Sequence, residues 1–227
     1  MSTATLLPSS LLPSYLLGGA REQGPVVATQ VSLGPVGHCP HVPTLTIFVF
    51  DNSGSVSGVF GNDPVARRFD EARLAIHTVS RRCRCDHERV SVVHFDSPTC
   101  CDVPPTRLGR NGWRRVEHGL AIPSDGAGSS ILGPSLQAAH RLAETYADHN
   151  AVAVVLSDFQ LFDDDLPGLY SDLASFPGTV HAVSLRATPP QQLVDDERVV
   201  VTHITYDAER GALAQAVLTA LTTQRLP

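Results

Sequence analysis

Asp51, Ser53 and Ser55 place a carboxylate and two hydroxyls on one five-residue stretch, Asp51-Asn52-Ser53-Gly54-Ser55. Three oxygen donors at alternating positions suit a hard cation such as Mg²⁺ or Mn²⁺. The same residues also read as a plain polar turn, because Asp, Asn, Ser and Gly are the usual turn formers. Taken alone, the stretch supports both readings. It follows an apolar run, Leu45 to Phe50, rich in β-branched and aromatic residues and too short for a typical helix. That run reads as a buried central strand. In open α/β sheets ligands bind beyond the carboxyl ends of such strands, which is where Asp51 begins.

The elements that must position this turn recur along the chain. Val90–Phe95, Ala151–Leu156, Thr179–Leu185 and Val199–Tyr206 read as further strands. Between them lie helix-like segments near 65–82, 134–146, 166–176 and 209–222, the first with Asp63 as N-cap and Pro64 in the first turn. Thr99–Pro104 reads as a short antiparallel edge strand limited by Pro104 and Pro105. Arg107–Ile122, with its arginines and Trp113, is open to a short helix and reads as a solvated loop with the indole tucked against the core, in preference to a basic docking surface. The alternation predicts an α/β fold, doubly wound, with a mostly parallel central sheet flanked by helices and one antiparallel edge strand.

Residues 1–25 read as an N-terminal extension, flexible or partner-docking, with Leu-Leu-Pro at Leu6-Leu7-Pro8 and again at Leu11-Leu12-Pro13. The domain is expected over 26–227, opening with a candidate edge strand at Val26–Leu33 and a loop at Gly34–Pro43. A chain of 227 residues with 42% hydrophobic and 18% charged residues is long enough for one large domain with a substantial core. The net charge of −6 argues against a nucleic-acid partner. Every basic residue in the Lys+Arg count is Arg, which we read as GC-rich, bacterial-type codon usage. The five cysteines come without a basic leader region, and no apolar run reaches membrane-span length. The expectation is a reduced, cytoplasmic protein.

Other constellations are weaker. Cys83-Arg84-Cys85-Asp86-His87 with Cys100-Cys101, or with the His38-Cys39-Pro40-His41 loop, holds zinc-ligand types. C-x-C followed by C-C is not a standard zinc spacing, so unrelated thiols are the favoured reading. Asp163-Asp164-Asp165 fits the start of the helix that follows it. There is no G-x-x-x-x-G-K-[ST] loop and no G-x-S-x-G elbow. His94, at a strand end, reads as a structural histidine.

Asp51-Asn52-Ser53-Gly54-Ser55 behind a hydrophobic strand resembles the Asp-x-Ser-x-Ser motif of von Willebrand factor A (vWA) domains, part of a metal-ion-dependent adhesion site in that family. Two further segments extend the resemblance. Ser129-Ser130-Ile131-Leu132-Gly133 is similar to the family's Gly-Thr-x-apolar-Gly segment, with Ser130 in the Thr position. Ser157-Asp158-Phe159 is similar to its Thr/Ser-Asp-Gly segment, with Phe159 in place of Gly. The resemblance covers about Thr44 to Leu221 and implies a vWA/Rossmann-like fold. It implies a Mg²⁺ or Mn²⁺ site formed by Asp51, Ser53, Ser55, Ser130 and Asp158, without catalytic residues. It also implies a protein partner that supplies a Glu or Asp to the metal, while the charge and the lack of a long apolar run point to no nucleic acid and no membrane. Related intracellular domains act as adaptors beside AAA+ ATPases or within multi-protein stress or defence systems. The alternatives are a metal-dependent phosphoesterase or hydrolase using Asp51 and Asp158, which lacks an evident base, and a structural subunit with a degenerate metal site. In that last case Phe159 and the Leu-rich extension are the expected docking elements. Ser130 keeps the hydroxyl of Thr without the methyl that stiffens its rotamer. Phe159 is expected to narrow access to Asp158 or to form an apolar rim.

Overall fold

The apolar run before Asp51 forms strand β1 (Thr44–Phe50), buried at every position. In the computed structural model the described residues are 31–63, 67–83 and 85–225. The elements below belong to the compact unit Leu33–Pro227. The expected extension, Pro64, and all but the last three residues of the expected strand Val26–Leu33 lie outside the described residues.

After β1 come a single helical turn α1 (Gly54–Ser57), α2 (Arg67–Arg82), β2 (Glu88–His94), β3 (Val103–Arg107) and α3 (Arg110–Gly119). Then follow α4 (Gly133–Thr145), β4 (Asn150–Ser157), α5 (Leu166–Ala174), β5 (Gly178–Leu185), the short α6 (Gln191–Val194), β6 (Val199–Ile204) and α7 (Ala212–Thr222). The sheet has six strands in the order β3-β2-β1-β4-β5-β6. All pairings are parallel except β2 with β3. This is the expected α/β architecture with one antiparallel edge strand.

Strand periodicity sorts the side chains between two cores. Phe48 and Phe50 of β1 join Val152, Val154 and Leu156 of β4 beneath α2 and α7. Leu45, Ile47 and Val49 join Ala151, Ala153 and Val155 beneath α4 and α5. Each fully buried phenylalanine or branched aliphatic contributes about 1.5–3 kcal/mol of transfer free energy, so β1 is firmly held in the sheet. Its register runs Phe50↔His94 on one side and Phe50↔Leu156 on the other. The chain proceeds from β1 to β2 in one direction and reaches β4 in the other. The carboxyl end of β1 is therefore a topological switch point, where doubly wound sheets open a crevice.

One element departs from expectation. The antiparallel edge strand is Val103–Arg107 and contains both prolines that were expected to end it. Its pairing with β2 is irregular between Val90 and Val92. An edge position with a bulge is where a strand tolerates residues that lack a donor. The following stretch forms α3 with Arg110, Arg114 and Arg115 exposed, while Trp113 lies 4.8 Å from the His77 ring and packs on the core.

Candidate metal centre

At the end of β1 the backbone leaves the sheet and turns once as α1, anchored by the fully buried Val56. The carboxylate of Asp51 folds back over this turn and accepts the Ser53 N–H at Oδ1, 2.8 Å away. Its Oδ2 accepts the Ser157 hydroxyl at 2.6 Å, from the last residue of β4. Ser53 Oγ and Ser55 Oγ stand 2.9 Å apart. Asp51 and Ser53 are fully buried, and Ser55 is partly exposed. Burial pushes the Asp51 carboxyl above its ordinary range. The hydrogen bonds from Ser157 and Ser53 oppose that push, and the charge of Asp158 adds to it.

Asp158 follows β4 directly and is buried. Its Oδ1 accepts the Gln160 N–H at 3.0 Å and its Oδ2 accepts Asn62 Nδ2 at 2.8 Å. Asn62 in turn accepts the Tyr206 hydroxyl at 3.0 Å. The loop after α1 thus reaches the Asp158 carboxylate directly, and the loop after β6 is linked to it through Asn62. Phe159 does not form a rim over Asp158. It is 6% exposed and belongs to the core beneath α4 and α5. Its φ is 56°, in the left-handed region that a glycine adopts without strain. The Phe159 ring thus turns into the core, away from the surface.

Ser130 arrives on the third loop. It shares one surface depression with Gly54, Ser55, Ser129 and Gln160. Its carbonyl accepts the Phe162 N–H at 2.8 Å. The structure brings Asp51, Ser53 and Asp158, all buried, together with the partly exposed Ser55, and Ser130 shares a surface depression with Ser55. Among the described residues no hydrogen bond links the Ser130 side chain to the other four. Phe162 (78% exposed) and Ile131 border the depression.

Several residues that position this cluster were not anticipated. Asp96, just past β2 and with φ at 69°, accepts the Gly128 N–H at 2.8 Å and the Ser129 hydroxyl. Gly128 has a φ of 69° and can make this approach because it lacks a side chain. Asp163 serves a helix other than its own: it accepts the Leu132 and Gly133 N–H groups at 2.9 and 2.8 Å, closing the start of α4. Only Asp165 caps the helix that follows it, accepting the Gly168 N–H. A strand-end aspartate was visible at Asp96, but its partners lie some thirty residues away in sequence.

Beneath the cluster sits Arg68, with no solvent exposure. Its guanidinium pairs with Asp63 Oδ2 at 2.8 Å and donates to Asn52 Oδ1 and Ser57 Oγ, each at 3.0 Å. Asn52 Nδ2 reaches His94 Nδ1 at 2.9 Å, and His94 Nε2 lies 2.9 Å from Gly119 O. A carbonyl accepts only a proton-bearing nitrogen, so His94 is neutral with its proton on Nε2 and both ring nitrogens occupied. It is a structural residue, as its position at a strand end implied.

Comparisons with known proteins agree with this fold. The von Willebrand factor type A domain from Catenulispora acidiphila superposes with a TM-score of 0.59 at 16% identity, over 81% of this chain and 43% of that one. The pilus adhesin SpaC of Lactobacillus rhamnosus GG superposes at 0.58 with 13% identity, over 83% and 31%. Proximal thread matrix protein 1 from the mussel byssus, solved with a zinc-occupied MIDAS motif, superposes at 0.55 with 15% identity, over 83% and 49%. The chain therefore spans less than half the length of these three structures. A comparison with curated proteins finds no match. The family model for the von Willebrand factor type A domain matches residues 46–160, half of the chain and the part that contains all three loops, and the chain belongs to that family.

Proposed function

We propose that this vWA domain binds a protein partner through a divalent cation, Mg²⁺ or Mn²⁺, held by Asp51, Ser53, Ser55, Ser130 and Asp158. The observation that carries the reading is the meeting of two buried carboxylates and three serines from three loops at the switch point of the sheet. The donor set fits such an ion. Adjacent ligands of an octahedral Mg²⁺, with bonds of 2.0–2.1 Å, are about 2.9 Å apart. Ser53 Oγ and Ser55 Oγ are already 2.9 Å apart through their own hydrogen bond. Burial and the neighbouring charge of Asp158 raise the cost of ionising Asp51, and a cation relieves that cost.

When bound, the cation supplies an electrophilic position that a Glu or Asp of the partner can occupy. The chain supports that approach with exposed apolar residues on the same loops: Val59 and Phe60 after α1, Ile131 before α4 and Phe162 after β4. The histidine behind the site has both nitrogens engaged, which favours recognition over hydrolysis. On this reading the domain is an adaptor in a multi-protein assembly, such as one built on an AAA+ ATPase or serving stress or defence, and we place it in the cytoplasm. Among the described residues no helix is long and apolar enough to cross a membrane.

The test is calorimetric titration of Mg²⁺ and Mn²⁺ into the wild-type chain and Asp51→Ala, beside capture of partners from native lysate with and without EDTA. Saturable heat in the wild type only, with a captured protein released by EDTA, supports the reading. Absence of heat, with capture indifferent to EDTA, removes the cation from the function.

A further inference from the structure

Three thiols and a carboxylate meet at the end of the sheet opposite Asp51. Cys39 lies in the segment leading into β1, Cys83 directly follows α2, Cys85 stands in the turn before β2, and Glu88 opens β2. One ligand atom from each lies within 4.8 Å of all the others. Cys83 and Glu88 are buried and the other two are partly covered. The sulfurs of Cys83 and Cys85 are 3.6 Å apart, and Cys85 Sγ lies 3.7 Å from Glu88 Oε2. A tetrahedral zinc with Zn–S near 2.3 Å and Zn–O near 2.1 Å has S–S edges of about 3.8 Å and S–O edges of about 3.6 Å. Both distances match the edges of that tetrahedron.

The surroundings suit the charge. Three thiolates and a carboxylate carry more negative charge than a divalent ion neutralises. Arg225, 9% exposed, offsets part of the excess: its Nε donates to Glu88 Oε1 at 2.7 Å and its Nη2 to Glu88 Oε2. Its Nη1 donates to the Val36 carbonyl at 3.1 Å, so the same side chain holds the segment that carries Cys39. An outer partner of this kind fixes a metal-ligating carboxylate in place. Cys100 and Cys101, the pair weighed with Cys83 and Cys85 from spacing, lie beyond the other end of β2, beside Ser124 and Asp125. His87 is turned to the Pro40 carbonyl, 3.4 Å from its Nδ1.

We propose that Cys39, Cys83, Cys85 and Glu88 bind one Zn²⁺ in a closed structural site that staples the segment before β1 to the turn between α2 and β2. Thiolate donors select zinc over the hard cations that suit the serine-rich centre. The two centres are independent, separated by the seven residues of β1, roughly 20 Å of strand. Sulfur binds the ion as thiolate, so loading releases the cysteine protons to solvent.

The test measures zinc by elemental mass spectrometry after desalting of the full chain, as wild type, Asp51→Ala, Cys39→Ser, Cys85→Ser and the control pair Cys100→Ser with Cys101→Ser. The expected result is about one Zn²⁺ per chain in the wild type, Asp51→Ala and the control, falling about tenfold or more in Cys39→Ser and Cys85→Ser. Should the cysteine variants not fold, Co²⁺ loading of the wild type decides, with sulfur-to-cobalt charge-transfer bands and intense tetrahedral visible bands expected. A wild type that holds no zinc and gives no such bands overturns the proposal. So does zinc retained in Cys85→Ser, zinc lost on Asp51→Ala alone, or a Cys83–Cys85 disulfide in protein purified under reductant.

Discussion

The Ser157 hydroxyl donates to Asp51 Oδ2 across 2.6 Å and so joins the last residue of β4 to the first residue after β1. The Ser157 Oγ itself accepts the Phe159 N–H at 2.8 Å. One side chain thus aims the carboxylate and sets the turn that carries Asp158. Ser157→Ala leaves a buried carboxylate oxygen and a buried N–H short of a partner. The expected stability loss is about 1–3 kcal/mol in urea unfolding. The expected loss of Mg²⁺ or Mn²⁺ affinity by calorimetry is about 10- to 100-fold, the usual effect of removing a group that orients a ligand. An unchanged affinity would show that Ser157 has no part in orienting Asp51.

Arg68 is the buried cation of the same region. Its removal strands Asp63, which also accepts the Arg67 and Arg68 N–H groups at 2.9 and 3.0 Å, and it releases Asn52 from its place against His94. Arg68→Met is expected to cost about 3–5 kcal/mol, as for one half of a buried ion pair. Arg68→Lys should recover less than half of that, because one ammonium cannot reach Asp63, Asn52 and Ser57 together. Urea unfolding of the two variants checks both statements, and an Arg68→Lys chain as stable as the wild type would contradict them.

His94 makes stability depend on pH. Burial, with Arg68 nearby, holds its imidazole below the ordinary value of 6.5, against the pull of the Gly119 carbonyl. Below 6.5 the unfolded chain takes up a proton that the folded chain refuses. The contribution of His94 is therefore fully present above 6.5 and declines as pH falls from there toward the folded value. His181, also lowered by burial, acts in the same direction. Asp51, raised by burial, acts oppositely: its contribution is present below 3.8 and is lost as pH rises through its folded value. Both cancel in a comparison of wild type with His94→Gln. The wild type should lose stability more steeply between pH 6.5 and 5, and parallel unfolding curves for the two chains would contradict the assignment.

Much of the fold is local in the sequence, and that part was legible. The run Leu45–Phe50 announces β1, and Asp51, Ser53 and Ser55 follow within five residues. What was hidden is long-range. The Ser157–Asp51 bond spans 106 residues and the Asn62–Asp158 bond 96, and no periodicity reveals either. The acidic run 163–165 was assigned to the following helix because that helix is adjacent, whereas Asp163 closes α4, thirty residues upstream. Pro104 and Pro105 pointed to a strand end because a central strand cannot hold them, but an edge strand with a bulge can. Cys39 and Glu88 come together with Cys83 and Cys85 through the β1–β2 register, Thr44↔Glu88, which spacing does not disclose.

Phe159 sets backbone strain against core packing. Glycine at a φ of 56° removes a left-handed penalty of roughly 1–2 kcal/mol. It also empties a core position at 6% exposure, and truncating a buried phenylalanine costs about 3–5 kcal/mol. Packing wins, so Phe159→Gly should destabilise the chain by about 1–4 kcal/mol. Its metal affinity should change little, since the Asp158 contacts to Gln160 and Asn62 remain. A stabilised variant would mean that the ring is dispensable to the core.

Phe162, three residues on, poses the opposite case. At 78% exposure it has little folded-state packing to lose, so Phe162→Ser should shift stability by no more than about 0.5 kcal/mol. It also borders the depression shared by Ser55 and Ser130, where an incoming carboxylate would arrive with its neighbouring side chains. An exposed aromatic at such a mouth contributes through desolvation on docking. The variant should therefore keep its Mg²⁺ isotherm and weaken EDTA-sensitive capture of the partner by about tenfold or more, a loss of at least 1.4 kcal/mol. Capture and titration run on the same preparation separate the two effects. Undiminished capture would place the partner's footprint away from Phe162, on the side of the site formed by Val59 and Phe60.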